Sequence, residues 1–188
     1  MKSEAERCAE YERFKRIDAA FHAGDLAALR AAVEDPDSIP NGAMPLAIGP
    51  CLEYAIYHSP FAFIRTLLEI GANPNPDHHA GFPPLIAALS CTRSAPGAKV
   101  QPDVPQIVAL LLEFGADPNQ RGINDYTALH MAAGEGSIEA IELLLRAGAD
   151  PRLKTRIDDC ETAQEIADKA GFQEISRRLS NWKAQTGR

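Results

Sequence analysis

The feature that most constrains this chain is a short segment that occurs three times. The copies are Leu-Leu-Glu-Ile-Gly-Ala-Asn-Pro-Asn from Leu67, Leu-Leu-Glu-Phe-Gly-Ala-Asp-Pro-Asn from Leu111 and Leu-Leu-Arg-Ala-Gly-Ala-Asp-Pro-Arg from Leu144. In each copy an apolar helical pattern runs into a glycine, the residue that most readily takes the left-handed conformation that closes a helix. Similar segments at a regular spacing indicate repeated units that bury their faces against one another.

The last copy belongs to the clearest unit, residues 127–149. Thr127 can cap a first helix, because its side chain can accept a hydrogen bond from the free backbone N–H groups of the first turn. A second helix follows, with apolar residues on one helical face at Ile138, Ile141, Leu144 and Leu145. Two such helices cannot bury their apolar faces alone, so the pattern predicts a stack of similar units.

The period and a second motif point to a family. Gly148 follows Gly115 by 33 residues, the period of a repeat that combines a β-turn, two helices and a Thr-Pro-Leu-His-x-Ala signature. The signature stands here as Thr-Ala-Leu-His-Met-Ala from Thr127. The chain therefore resembles the ankyrin repeat family. The resemblance implies an all-α, ankyrin-repeat solenoid of about five helix-turn-helix units with β-hairpin-like tips, in which the terminal units are degenerate caps.

The resemblance also divides the chain. We expect a charged N-terminal segment over 1–13 that forms a helical extension, a single ankyrin-repeat domain over 14–180, and a C-terminal tail over 181–188 in which Trp182 folds back on the last unit. The units are predicted at 14–36, 50–72, 83–116, 127–149 and 162–180. The third unit is longer than the others and contains an insertion at 92–102, whose prolines and glycine are typical of a loop. This insertion either hangs free or makes a second contact surface.

Composition limits the class of partner. The formal net charge is −7 and the isoelectric point is about 5.2, which argues against nucleic acid, since that binding depends on Lys and Arg at the phosphates. An anionic surface instead favours basic protein partners. The sequence has neither a secretory signal nor an apolar stretch long enough to span a membrane. We therefore expect a cytoplasmic protein that does not bind membranes and that is a monomer on its own.

The residue pattern gives no support for catalysis. His130 lies three residues after Thr127 and is predicted to tie the start of its helix together rather than to act as an acid or base. The cysteines at 8, 51, 91 and 160 are too far apart for a zinc motif and are expected to be reduced thiols. Only Asp77, His78 and His79 have the composition of a metal site, and adjacent histidines in an extended segment point in opposite directions. We predict no catalytic residues, no metal and no cofactor.

The resemblance places function on the hairpin tips and the exposed ends of the first helices, which hold protein partners in this family. Carried over position by position, it gives the candidate partner-binding residues Tyr57, His58, His79, Phe82, Ile123, Asn124, Tyr126, Glu135, Asp158, Asp159 and Glu161. Aromatic residues lie in the middle of this row and acidic residues at its end, an arrangement that concentrates binding energy and sets orientation. This predicts a groove for a basic segment of a partner protein, although each aromatic side chain can equally pack within the fold.

Three functions remain open at this point. The first is a non-catalytic interaction module, such as an adaptor, that binds its partner through the concave face. The second is a dedicated inhibitor, an immunity protein or antitoxin, that blocks a basic enzyme with the acidic end. The third and least favoured is a metal-dependent enzyme at Asp77, His78 and His79.

Overall fold

A computed structural model of the chain describes residues 3–42, 49–77, 82–91, 104–157 and 159–182. In these ranges the regular elements are helices, and the β-type pairing is one isolated antiparallel bridge between Lys154 and Thr162. The all-α prediction is thereby confirmed. The chain forms two compact units, which divide after residue 81. Whether the repeats form a single domain over 14–180 stays a prediction.

In its described residues, the first unit has four helices and one short 3-10 turn. They are α1 (Glu4–Ala23), α2 (Leu26–Ala32), the 3-10 turn at Pro36–Ser38, α3 (Cys51–His58) and α4 (Phe61–Glu69). Helix α1 runs without a break from Glu4, so the charged N-terminal segment and the first helix of the first repeat are one element. The Phe21 ring is fully buried and packs edge-on against Tyr54 of α3 and Phe63 of α4, with ring centroids 4.9 and 5.9 Å away.

The described part of the second unit has six helices and a 3-10 turn at Ile123–Asp125. The helices are α5 (Pro84–Ser90), α6 (Val104–Glu113), α7 (Ala128–Glu135), α8 (Ile138–Arg146), α9 (Ala163–Lys169) and α10 (Gln173–Asn181). The first helices of successive repeats pack in the order α5, α7, α9, and the second helix α6 packs against α8. Small buried residues such as Ala132 and Ala133 allow the first helices to approach closely.

The repeated Gly-Ala-Asx-Pro segment closes each pair of helices. At the third copy, Gly148 has a φ of 96°, and the N–H of Ala149 donates to the carbonyl of Leu144 at 2.9 Å. Asn119, in the preceding copy, donates from its side chain to the Gly148 carbonyl at 3.0 Å and accepts from the Asp150 N–H at 2.8 Å. The second copy is therefore both a helix stop and a bracket that holds the turn of the third.

Two predicted segments, the C-terminal tail over 181–188 and the insertion at 92–102, lie mostly or wholly outside the described residues. Trp182 is half-buried and lines a groove with Ile141 and Leu145 of α8, so it lies against the outer side of the last repeats. The insertion at 92–102 and residues 183–188 lie outside the described residues. Among the helices that are described, none combines the length and the apolar character needed to cross a membrane.

Candidate functional site

Three exposed apolar side chains precede the first helices of the second unit. Phe82, Ile123 and Ile157 are 40%, 61% and 36% exposed, and they come before α5, α7 and α9, respectively. We refer to these three residues as the tip surface. Phe82 and Ile123 were predicted from the sequence, whereas Ile157 was missed. The signal for Ile157 was present, because it lies five residues before the capping Thr162, much as Ile123 lies four residues before Thr127.

The backbone of the middle tip projects Ile123 outward. The loop is closed by a hydrogen bond from the Gly122 N–H to the Tyr126 carbonyl at 2.8 Å, and Asn124 takes a left-handed φ of 59°. A β-carbon at position 122 would lie 2.8 Å from Cδ1 of Ile86. The missing side chain therefore lets this tip rest directly on the preceding repeat, next to the residues that follow Phe82.

The middle tip is also bonded to the tip that follows it. The Asn124 carbonyl accepts from the Arg156 N–H at 2.8 Å, and the Arg121 guanidinium donates to the Lys154 carbonyl at 3.2 Å. The Asp125 carboxylate lies 3.6 Å from Arg121 and 3.9 Å from Arg156. The charged groups next to Ile123 and Ile157 in the chain thus contact one another, while the two apolar side chains stay exposed.

The buried imidazole of His130 holds the base of this region together. Its Nδ1 accepts from the Thr127 N–H at 3.1 Å and lies 2.9 Å from the Thr127 hydroxyl, while Nε2 lies 3.0 Å from the Leu153 carbonyl and 3.2 Å from the Glu161 carbonyl. A carbonyl only accepts, so Nε2 carries the proton. Burial lowers the pKa of His130, and the nearby Arg121 charge acts in the same direction. The prediction that His130 ties the helix start is confirmed, and it also links α7 to the following hairpin.

Tyr126 has both a structural contact and an exposed part. It is half-buried, and its ring centroid lies 5.8 Å from that of His130. Truncation of Tyr126 would therefore disturb the environment of His130 as well as the surface. Glu135, the last residue of α7, is half-buried at the other end of the same first helix.

The structure places the acidic end differently from the sequence expectation. Glu161 is 9% exposed rather than displayed, and its backbone N–H donates to the Thr155 hydroxyl at 3.1 Å. Lys169 lies 2.8 Å from the Glu161 carboxylate and donates to Asp159 at 2.5 Å. This ion pair lowers the pKa of the exposed Asp159. Glu161 is thus an internal residue of the hairpin, because the backbone pairing of the hairpin turns it inward, and Asp159 is neutralised by a neighbouring cation.

The remaining predicted residues fall in the first unit or outside the described ranges. Tyr57 is half-buried and its ring lies 6.3 Å from that of the exposed His58. The pKa of His58 is lowered, first by burial and then by the neighbouring His22. His79 and Asp158 lie outside the described residues. So does His78, and the hypothesis of a metal site at Asp77, His78 and His79 is therefore not tested. That Tyr57 and His58 act together with the tip surface stays a prediction.

The buried cysteines lack the properties of nucleophiles or metal ligands. Cys51 and Cys91 are buried, and burial raises the pKa of their thiols to about 12 and about 11. Since the thiolate is the reactive form, these side chains are inert at neutral pH.

The repeat geometry is matched by a known family. A family model for ankyrin repeats (three copies) matches residues 52–155 and 98–184. The chain belongs to the ankyrin repeat family. Ankyrin repeats are typically protein-interaction modules without catalytic activity of their own.

Similar proteins come from animals and plants. Ankyrin repeat domain-containing protein 37 of Mus musculus is 31% identical over 131 residues, which is 66% of this chain and 72% of that protein. Cyclin-dependent kinase 4 inhibitor B of Mus musculus is 31% identical over 121 residues, 62% of this chain and 79% of that protein. A probable E3 ubiquitin-protein ligase of Oryza sativa subsp. japonica is 37% identical over 84 residues, 44% of this chain but only 16% of the ligase. The chain likewise spans 29% of a putative E3 ubiquitin-protein ligase of Arabidopsis thaliana, so the plant relatives are much longer than the region they share with it.

Proposed function

We propose that this ankyrin-repeat chain binds a partner protein through the tip surface, with the exposed ends of the first helices as additional contacts. The observation that carries the proposal is the exposure of Phe82, Ile123 and Ile157, which precede the first helices of successive repeats. Burying such side chains in an interface is favourable by about 25 cal/mol per Å² of apolar area removed from water. Repeat families use the same side of the stack for recognition, which agrees with this placement.

The polar surroundings of the tip surface suit a protein interface. Arg121, Asp125 and Arg156 are held by contacts within the hairpins. A partner that covers the apolar side chains therefore meets charged groups that already have contacts within the chain, which lowers the cost of burying them. The arrangement of an apolar centre and a polar rim is typical of interfaces in which a few central residues supply most of the affinity.

We further propose that the partner is a basic protein. The net charge of −7 supports long-range attraction of a basic protein. Asp159 and Glu161 share the single cation Lys169, so these two carboxylates and one ammonium group together contribute only −1 to that charge. Charge would accordingly set the association rate, whereas the apolar side chains would set the lifetime of the complex.

A second candidate function is inhibition of the enzyme that forms the partner. It is favoured by the similarity to cyclin-dependent kinase 4 inhibitor B, which extends over 79% of that relative. An inhibitor and an adaptor would use the same surface. They differ because an inhibitor abolishes the activity of its partner, whereas an adaptor leaves that activity unchanged.

The test compares wild type with the double variant Phe82→Ala, Ile123→Ala. The partner is first captured from cells of the source organism with purified wild-type protein and identified by mass spectrometry, and its affinity is then measured by calorimetry. We expect the double variant to bind at least tenfold more weakly, a loss of about 1.4 kcal/mol or more. An assay of the partner's activity with and without the chain separates the inhibitor from the adaptor.

The matched control is Ile70→Ala. Ile70 is 36% exposed, but it follows α4 in the first unit and is not on a tip. It should bind as wild type does, and all variants should keep the helical circular dichroism spectrum. Equal affinity of the double variant and wild type would refute the assignment of function to the tip surface. Tyr126 is avoided as a test position because its ring contacts His130.

A further inference from the structure

A group of metal-capable side chains comes together in the first unit, away from the tip surface. Asp18 and His22 lie on α1 and His58 is the last residue of α3. Their candidate ligand atoms all lie within 4.8 Å of one another, and no other group of three such residues was found in the described part of the chain. Asp18 and His22 are four residues apart, so they share one face of α1, and α1 packs against α3.

The Nδ1 atom of His22 faces the carboxylate of Asp18. It lies 2.9 Å from the backbone carbonyl of Asp18 and 3.2 Å from the Asp18 carboxylate. Because both of these oxygens accept, Nδ1 carries the proton of the neutral ring in the metal-free protein, and a zinc ion held between Nδ1 and the Asp18 carboxylate would take the place of that proton. The 3.2 Å between Nδ1 and the carboxylate oxygen is close to the separation of two ligand atoms on one zinc ion.

Tyr54, which also lies on α3, contacts both Asp18 and His58. Its hydroxyl donates to Oδ1 of Asp18 at 2.6 Å, and its ring centroid lies 4.2 Å from that of His58. The hydrogen bond holds the carboxylate from one side and leaves the second oxygen available. The ring contact limits the positions that the His58 imidazole can take. The cluster thus has three candidate metal ligands, and Tyr54 positions two of them.

We propose that Asp18, His22 and His58 form a Zn²⁺ site that joins α1 to α3, with a remaining position open to water. Two imidazoles and one carboxylate suit zinc better than magnesium or calcium, which prefer oxygen ligands. Zinc bonds of about 2.0–2.1 Å to nitrogen and oxygen require ligand atoms roughly 3.3 Å apart in a tetrahedron. The side chains of His22 and Asp18 are 39% and 34% exposed, so rotations about their side-chain bonds can close the remaining gap.

The test uses full-length protein that has been freed of metal by dialysis against a chelator. Calorimetric titration with Zn²⁺ should show one saturable site in wild type, and the d–d absorption of added Co²⁺ should report a tetrahedral environment. His58→Ala and His22→Ala should lose both signals. A wild type without stoichiometric zinc binding, or a His58→Ala variant that binds as wild type does, would overturn the proposal.

The matched control is the double variant His78→Ala, His79→Ala, which removes the other histidine pair of the chain. It should keep the site. If zinc binding is instead lost in this variant and kept in His58→Ala, the metal belongs to the Asp77–His79 segment and the proposed cluster is wrong. The experiment needs no partner protein, so its outcome is independent of the function proposed for the tip surface.

Two further readouts test the link between the helices. Zn²⁺ at 100 times its dissociation constant should raise the ratio of folded to unfolded protein about 100-fold in wild type and leave His58→Ala unchanged. Tyr54→Phe should keep the aromatic packing but weaken zinc binding by about 10- to 100-fold, as expected when the hydrogen bond that orients a ligand is removed. Unchanged zinc affinity in Tyr54→Phe would refute the positioning role of Tyr54.

Discussion

The strongest stability prediction concerns His130→Ala. Wild-type His130 is 1% exposed, and its Nδ1 accepts from the N–H of Thr127, which is equally buried. The substitution leaves that N–H without an acceptor, at a cost of about 1–3 kcal/mol for a buried group. It also removes the bond from Nε2 to the carbonyls of Leu153 and Glu161, worth about 1 kcal/mol. We therefore expect a loss of about 2–4 kcal/mol in the free energy of unfolding.

Glu165→Ala provides a matched control one repeat later. Glu165 holds the same position in α9 as His130 holds in α7, and it accepts from the Thr162 N–H at 2.7 Å. Here the bond is exposed, so water can replace the lost acceptor. The expected loss is about 0.5–1 kcal/mol, the lower part of the range for a lost helix cap. The difference between the two variants thus measures the effect of burial at the same helical position.

The assay is urea unfolding followed by the fluorescence of Trp182. This is the only tryptophan in the chain and lies in the same unit as both substituted residues. The free energies of unfolding are compared between variants that have the same m-value, because a changed m-value would indicate a change in the unfolded state rather than a loss of native contacts. If His130→Ala costs no more than Glu165→Ala, the buried hydrogen bonds of His130 do not stabilise the fold, and the reasoning fails.

Two other predictions concern the second unit. Burial lowers the pKa of His130 from its ordinary value of 6.5, so below about pH 6.5 the unfolded chain takes up a proton that the folded chain does not. The free energy of unfolding should therefore fall as the pH drops from about 6.5 toward the lower pKa of the folded state. His130→Gln does not titrate, so urea unfolding should show a smaller loss for this variant over the same pH range. Gly136→Ala should destabilise the chain more than Gly148→Ala in thermal unfolding. Both positions have a positive φ (75° and 96°), but only at Gly136 would a β-carbon meet the Phe172 ring, at 2.6 Å. Equal losses of stability would mean that the ring moves aside freely.

The regular part of the fold could be predicted because its signals are local. Thr127 is the N-cap of α7, and α8 runs from Ile138 to Arg146 with its apolar face buried. These features depend on residues within one or two helical turns of each other. The insertion at 92–102 could be recognised as a departure from the repeat, but its composition favours no single structure.

The candidate site could be predicted only in part. Ile123 and Phe82 are exposed as expected, since their positions follow from the offset to the capping residue. Glu161 was assigned to the surface by the same offset, and there the offset failed because the longer hairpin bonds its backbone to Thr155 and His130. Sequence spacing counts residues along the chain, whereas exposure depends on which neighbouring repeat covers them.

The metal-capable cluster shows the same division. The spacing of Asp18 and His22 on α1 was available from the sequence, and His58 was proposed only as a contact residue. Their meeting depends on the packing of α1 against α3, which no local pattern specifies.

By itself the sequence determined the helices, their ends and the repeat that stacks them, because capping, apolar periodicity and left-handed glycines act over a few residues. Only the tertiary structure decided which polar groups are buried and which apolar side chains stay exposed. It turned Glu161 inward, displayed Ile157 and brought His58 to His22. The physical reason is that burial and hydrogen bonding at these positions come from residues of neighbouring repeats, distant in the chain, and stacking alone brings those residues into contact.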